Sequence, residues 1–398
     1  MRNINFISDL IFLLIIFIIK ILKIFIPIRI NRSYSSRLGH FVGINSLHIY
    51  NINKKYYDFF ILDEKISNSE IYKLFKEKLV FIPKFLSKFF HKVHDVNLRY
   101  KIIKKLSFHY DKKFNLRRQI FECRDVLNLI DTKKTNFGYK KKDEKKILIE
   151  NKINFDLNKI ICIHVRDEGY LTKNFKNYNE RKLVNVKIST YLKTISKLIK
   201  LGYTIIRVGK DHKNFLNYKN KNYIDLYQKG VWNDKLELFL IYKCVFFIGT
   251  HSGGSMSPLY LFKKPTLFTN FLPIGKLFSY SKSIIFIPKK IKFNNKYLSL
   301  KKIFVNKFSF FEKSKDIKKH KMKIVDNTAN EIYYATLDML EFLKNKNNYL
   351  KKNRYILLKH KKIYQDCIKN SYIKKYHGQI RANISPSFVK RNKFFLKN

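Results

Sequence analysis

The sequence predicts an α/β protein whose larger part is a doubly wound parallel sheet. Three observations lead there. From Lys159 onward short apolar runs alternate with amphipathic segments long enough to cross a sheet face, which implies parallel pairing. The runs are continuously apolar, as strands covered on both faces are. Only 12 Gly and 7 Pro in 398 residues leave too few turn formers for an all-β or linker-rich chain.

Taken in order, the chain opens on the apolar run Leu10–Ile19, which continues past Lys20 and Lys23 to Ile28. Ten uninterrupted residues fall short of the ~20 that span a bilayer, although lysines can snorkel if the segment extends to Ile30. No small-residue cleavage site follows. Arg2 precedes the run, while Lys20, Lys23, Arg29, Arg32 and Arg37 lie at its end or beyond, a bias that keeps the bulk of the chain cytoplasmic. The expectation is a hydrophobic anchor over residues 1–30, interfacial or inserted; the alternative is a buried amino-terminal helix. A polar turn at Arg37-Leu38-Gly39-His40 follows. From Tyr50 to Ile130 the spacing is mostly helical, clearest at Ser69–Leu79 and Val96–Leu106. His91 and His94 share a helical spacing but lack a third ligand nearby, which favours a structural role. Lys133–Lys145 is charged and reads as an exposed loop near a domain boundary.

Beyond it come strand Lys159–Val165, helix Ile188–Leu201 ended by Gly202, and strand Tyr203–Val208 closed by Gly209. Then follow strand Tyr223–Leu226, helix Asp234–Tyr242, strand Cys244–Ile248, helix Met256–Phe262 and strand Thr266–Thr269. Ser283–Ile287 and Tyr297–Leu300 are short β-like segments, and Asn327-Thr328 is a start signal for helix Glu331–Leu343. The Lys-rich remainder is helical up to Ser385-Pro386-Ser387. The expected divisions are 1–30, 31–150, 151–345 and 346–398.

The formal charge is +54, from 83 Lys+Arg against 29 Asp+Glu. A polyanion binder profits from each lysine that displaces a counterion, so a nucleic-acid protein without catalysis is one reading. Only 14 of the basic residues are Arg, and the lysines are scattered from end to end among Asn, Ile, Tyr and Phe. That dispersion marks solvated surface rather than a dedicated nucleic-acid face. An anionic membrane surface attracts such a chain in either case. The four cysteines, Cys123, Cys162, Cys244 and Cys367, show no Cys-x-x-Cys pair and no metal spacing, which argues against disulfides or zinc and for a reducing setting.

Ligands of open α/β sheets sit outside the carboxyl ends of the strands. Three such exits carry chemistry: His164-Val165-Arg166-Asp167-Glu168, then Arg207-Val208-Gly209-Lys210, then Gly249-Thr250-His251-Ser252-Gly253-Gly254-Ser255. In the third, glycines permit close backbone approach, hydroxyls donate, and a helix start offers amides to phosphate. An ordinary capped turn is the alternative. It is not a Walker loop, because no Gly-Lys-Ser/Thr follows. Arg166 and Arg207 grip phosphate at two points where Lys offers one. Ser252 near a histidine suggests a hydrolase, but the Gly-x-Ser-x-Gly elbow is missing.

These residues resemble a family of bacterial glycosyltransferases with a GT-B-like fold. The match runs through Ile163-His164-Val165-Arg166-Asp167 and Gly169-Tyr170-Leu171, through Asn185, Ser189, Thr190 and Tyr191, and through Gly202-Tyr203 to Arg207-Val208-Gly209. It continues in Phe247–Gly253, Lys264-Pro265 and Thr269-Asn270, with outlying elements Arg37–His40 and Ser385–Phe388. His-x-Arg is also similar to GT-B fucosyltransferases, which continue with a second Arg where Asp167 stands here. The Gly-rich loop is similar to heptosyltransferases, with His251 in place of Asp.

The resemblance implies two Rossmann-like domains facing a cleft, behind the anchor: an acceptor-side domain at 31–150, a nucleotide-sugar domain at 151–345 and a helical tail. It implies a sugar moved from a nucleotide-sugar donor to a glycan or lipid-linked acceptor at the cytoplasmic face of a membrane. No cofactor, metal or specific nucleic acid is expected. His164, Arg166, Arg207, Gly209, Lys210 and Gly249–Ser255 would hold the donor, and Asp167 or His40 would take the acceptor proton.

Overall fold

The computed structural model describes residues 6–52, 55–103, 106, 125, 127–133, 137–174, 182–277, 281–311, 313–370 and 379–397. Two compact units divide the chain, Met1–Arg124 and Asp125–Asn398.

The amino-terminal unit contains α1 (Phe6–Phe25), β1 (Ile28–Arg32), α2 (Leu38–Tyr50), β2 (Tyr57–Ile61), α3 (Ser69–Lys76), β3 (Val80–Phe81) and α4 (Lys84–Tyr100). Its strands form a parallel sheet in the order β1-β2-β3. α3 and α4 fall within the mostly helical reading of Tyr50–Ile130, whereas the three strands were not expected. Each is too short to show a period, and its partner is distant in sequence.

The inserted form of the anchor expected at 1–30 is corrected as well. Pro27 follows α1, β1 begins one residue later, and among the described residues no helix is long and apolar enough to cross a membrane. One face of α1 instead joins the unit's core, where Ile16 packs with Ile30, Ile61, Val93 and Val96. Asp9, buried at the start of α1, pairs with Arg99 of α4.

A buried polar cluster ties β1 to β2 and α2. Arg29 donates through Nε and Nη2 to the two oxygens of Asp58, each at 2.6 Å, and Asn31 donates to Asp58 Oδ1 at 3.0 Å. His48 Nε2 lies 3.2 Å from Asp58 Oδ2. Burial alone would raise the Asp58 pKa, but His48 and Arg29 hold it well below the usual carboxylate range.

The second unit holds α5 (Leu129–Thr132), α6 (Lys141–Glu150), β4 (Ile160–His164), α7 (Gly169–Asn174), α8 (Leu192–Lys200), β5 (Thr204–Arg207) and β6 (Tyr223–Asp225). Then come α9 (Asp234–Lys243), β7 (Phe246–Gly249), α10 (Met256–Tyr260), β8 (Thr266–Phe271), β9 (Ile284–Pro288), β10 (Lys290–Phe293) and β11 (Lys296–Tyr297). It closes with α11 (Leu300–Val305), α12 (Ser314–Lys319), β12 (Met322–Val325), α13 (Ala329–Lys344), α14 (Lys346–Lys352), α15 (Arg354–Lys369), β13 (Asn383–Ile384) and α16 (Pro386–Arg391).

Seven strands form one all-parallel sheet in the order β13-β9-β8-β7-β4-β5-β6. The chain winds outward through β4, β5 and β6, then returns to place β7 on the other side of β4. Residues of β4, β5 and β7 are almost all buried, which is why their sequences run apolar without alternation. Ile160, Cys162, Ile206 and Phe247 pack against Leu236, Phe239 and Leu240 of α9 and Ile147 of α6.

The charged stretch read as a loop therefore supplies part of a core helix. The carboxyl-terminal stretch is also more than helical, since β13 adds to the edge of the sheet beside β9. Ser385 caps α16, and Asp338 of α13 accepts from Ser387 N at 3.0 Å and Ser387 Oγ at 2.7 Å. The expected signal before α13 is a full capping box between Thr328 and Glu331. Cys123 lies outside the described residues; Cys162, Cys244 and Cys367 are free thiols.

Asp58→Asn leaves Arg29 buried without its counter-charge. Equilibrium denaturation should show the amino-terminal unit destabilised by about 3–5 kcal/mol. In the unsubstituted chain this carboxylate contributes stability above its ordinary pKa of 3.8, and loses it as pH falls below that value.

Candidate functional site

The point at which an open parallel sheet reverses its winding leaves a crevice beyond the strand ends, because the loops on either side diverge to opposite faces. Here that point lies between β4 and β7, whose register sets His164 opposite Gly249. Two of the three exits singled out from sequence thus become immediate neighbours, and β5 lies on the other side of β4.

The two exits are laced together. Thr250 N donates to His164 O at 3.2 Å, and Thr250 Oγ1 accepts from Arg166 N at 3.0 Å. Ser255 Oγ donates to Thr250 O at 2.7 Å, folding the loop back on itself. Gly249 is required by that fold, since a Cβ there would sit 2.6 Å from Ser255 Oγ. His164 Nδ1 lies 3.2 Å from Ser252 Oγ. The His164 ring is wedged between two glycines: a Cβ on Gly254 would lie 2.7 Å from Nε2, and one on Gly209 would lie 3.0 Å from Cδ2. Gly209 also has φ +99°, which L side chains rarely adopt. Burial, with Arg207 and Arg166 nearby, lowers the His164 pKa to about 4, so the imidazole is neutral at pH 7. Gly253–Ser255 form a short 3-10 turn, and the helix after it, α10, is shorter than expected.

Arg166 is partly buried at the head of this crevice. Its carbonyl accepts from Val186 N at 2.9 Å. The strand of chain around Val186 is held in turn by Lys289, whose Nζ donates to Leu183 O at 2.7 Å and Asn185 O at 3.0 Å and pairs with Asp326 at 2.7 Å. Lys289 thus holds the segment that bonds the Arg166 carbonyl, a contact that sequence reasoning missed. One buried lysine in so Lys-rich a chain carries no local signal.

Other expected site residues have different settings. Arg207 is fully buried; Nη1 pairs with Asp225 at 3.0 Å and donates to Asn214 O at 2.8 Å. Its guanidinium points into the sheet edge at β6, so the phosphate grip read from sequence is corrected to a structural ion pair. Asp167 is buried and accepts from three backbone amides, Gly169 at 2.9 Å, Lys213 at 2.9 Å and Asn214 at 3.0 Å. A carboxylate so engaged clamps the β4 exit to the β5 exit, which corrects its reading as a proton acceptor.

Lys210 stacks over Trp232 at 4.6 Å. His251 turns to the β8 exit, with Nδ1 2.9 Å from Leu272 O and its ring 4.9 Å from Phe271. His40 belongs to the other unit, near the start of α2, with its ring 6.3 Å from Tyr34. Tyr191, Thr269 and Asn270, part of the family resemblance, form a buried network in which Tyr191 and Thr269 hydroxyls meet at 2.6 Å. His91 lies 3.0 Å from Leu62 O, and His94 is buried in α4.

Two further groups at the β5 exit were not anticipated. His212 is buried beside Gly209, its pKa lowered to about 3 by burial and by Arg207. Glu237 of α9 accepts from Trp232 Nε1, and burial raises its pKa to about 7.

No protein-family model and no curated protein matches the chain. Among solved structures it is similar to the ADP-heptose LPS heptosyltransferase II of E. coli. That likeness has 11% identity, covers 60% of this chain and 84% of that one, and has a TM-score of 0.39. A family 9 glycosyl transferase from Veillonella parvula is similar at 11% identity, 60% and 79% coverage and a TM-score of 0.35. TibC, an iron-containing dodecameric glycosyltransferase from enterotoxigenic E. coli, is similar at 12% identity, 65% and 63% coverage and a TM-score of 0.35.

Two outcomes follow from this geometry. Gly254→Ala forces its new methyl into the His164 ring and should cost about 1–3 kcal/mol in denaturant unfolding. In a His164→Ala background the same substitution should cost much less, the coupling marking the contact. For Glu237, the folded pKa near 7 exceeds its ordinary 4.5, so its stabilising contribution is greatest at low pH and is lost as pH rises through that interval. Glu237→Gln stays neutral and should flatten the dependence of Tm on pH between about pH 4 and 8.

Proposed function

We propose that the chain is a metal-independent glycosyltransferase of GT-B type. It would move a sugar from a nucleotide-sugar donor to a glycan or lipid-linked acceptor at the cytoplasmic face of a membrane. The observation that carries this reading is the convergence of Arg166 and the Gly249–Ser255 loop at the winding reversal of the parallel sheet. An open α/β sheet binds nucleotides at that position.

In this reading the donor diphosphate lies over the loop. Arg166 takes the charge that develops as the sugar leaves, and the Gly253 and Gly254 backbone approaches the phosphates without side chains in the way. Neutral His164 is a positioning residue that orients the Ser252 hydroxyl. Lys210, stacked on Trp232, adds positive potential at the neighbouring exit.

A second reading rests on one distance, the 3.2 Å between Ser252 Oγ and His164 Nδ1, which suits a hydrolytic nucleophile and its base. The depressed His164 pKa weakens such a base, and its Nε2 faces Gly254 rather than a carboxylate. Labelling of Ser252 by serine-directed probes would favour hydrolysis over transfer.

The transfer reading is tested by screening nucleoside diphosphates for a thermal shift, then measuring turnover with the nucleotide-sugars so identified. Arg166→Ala should lower kcat/KM by about 100-fold or more, and Arg166→Lys should recover only part of it, since ammonium replaces a two-point grip. EDTA should leave turnover unchanged. Wild-type rates in both Arg166 variants would sink the assignment.

A further inference from the structure

We propose that the outward face of α1, extended by Phe85 and Phe89 of α4, docks in the plane of an anionic lipid surface. This inference deepens the membrane placement of the transfer reading, and its test reads lipid binding rather than turnover, so the two can fail separately.

Leu14, Phe17, Ile18, Ile21 and Phe25 recur at helical spacing and are all exposed, Phe25 at 78%. The opposite face is fixed. Ile16 is fully buried, Asp9 is paired with Arg99, and Lys23 Nζ donates to Ile28 O at 2.7 Å. Drawing α1 out to span a bilayer would dismantle that core, so the helix meets lipid with the side it already exposes. The apolar face does not stop at α1. Phe89 lies 5.6 Å from Phe12, and Phe85, one turn earlier on the same side of α4, is 83% exposed. Contiguous apolar surface on this scale marks an interaction site rather than ordinary scatter.

Charge selects the occupant. Lys20, Lys84 and Lys92 are exposed on the two helices that carry the face, while of the acids on them Asp9 is buried and Asp95 is paired with Arg32 at 3.2 Å; nearby Glu64 is paired with Lys88 at 3.4 Å. A second copy would bring like charges together on a chain of net charge +54, whereas anionic headgroups neutralise them. An apolar helix face with basic flanks suits the boundary between headgroups and acyl chains.

The test uses the full chain with phosphatidylcholine vesicles, with and without phosphatidylglycerol. The wild type should co-sediment with the anionic vesicles, leave them in alkaline carbonate, and bind about tenfold less in the Phe17→Ser, Phe85→Ser double variant. Both side chains are exposed, so the variant's thermal melt should match the wild type. As a second readout, Phe17→Trp should add emission quenched by brominated acyl chains, beyond the contribution of Trp232. Retention in carbonate would overturn the proposal in favour of a span. Equal binding of the double variant would overturn it in favour of non-specific cationic attraction. A concentration-dependent dimer abolished by the double variant, without vesicle binding, would replace lipid with a second copy.

Discussion

Parallel strands with both faces covered have little freedom in what they can present to solvent, because almost every side chain along β4 and β7 is absorbed by the core. What emerges is confined to the residues just past the last buried position, and the pairing of β4 with β7 decides where those residues meet. His164 opposite Gly249 is the hinge of that arrangement. From it follow the Thr250 bonds to both His164 and Arg166, the folded-back Ser255, and the two glycines that admit the imidazole. A slip of one residue would reverse the faces and break all of these together.

The scarce acids explain how a chain of this charge holds a fold. Asp58, Asp167, Asp225, Glu331 and Asp338 are engaged by a basic side chain or by hydroxyl and amide donors at buried or nearly buried positions. Glu331 combines two such tasks, pairing with Lys290 at 2.8 Å and closing the capping box of α13. Basic residues outnumber the acids 83 to 29, so the surface stays cationic wherever the acids lie. The net charge is set by composition and does not by itself imply a polyanion partner.

The same economy explains which parts of the site were legible in the sequence. Continuous apolar runs ending in polar clusters identified β4, β5 and β7, because burial on both faces leaves that imprint in the chain itself. The winding order then selected the crevice. Arg207 was misread because an arginine at a strand exit looks alike whether it meets solvent or an interior carboxylate. Its partner Asp225 stands opposite it only once β5 and β6 are paired. Asp167 was misread for a related reason, since backbone amides at Lys213 and Asn214 have no sequence signature. β1 and β2 were hidden by their shortness and by parallel pairing. α1 was recognised as apolar but not oriented, because its inward side is identified by Arg99, 90 residues away.

Removing Arg207 and Asp167 from the ligand-facing set changes the electrostatics of the proposed mechanism. Among the described residues Arg166 keeps its place at the crevice head, and its backbone is held by a relay running from Asp326 through Lys289 to the backbone around Val186. In a chain with many mobile lysines, discrimination between a diphosphate and any other anion has to come from geometry rather than charge. A planar fork on a fixed backbone supplies that geometry, and a flexible ammonium does not. Under the proposed function, the buried cation Lys289 would act on recognition without reaching the ligand. It holds in place the backbone that aims Arg166, in a part of the protein where nearby charge is otherwise plentiful and unspecific.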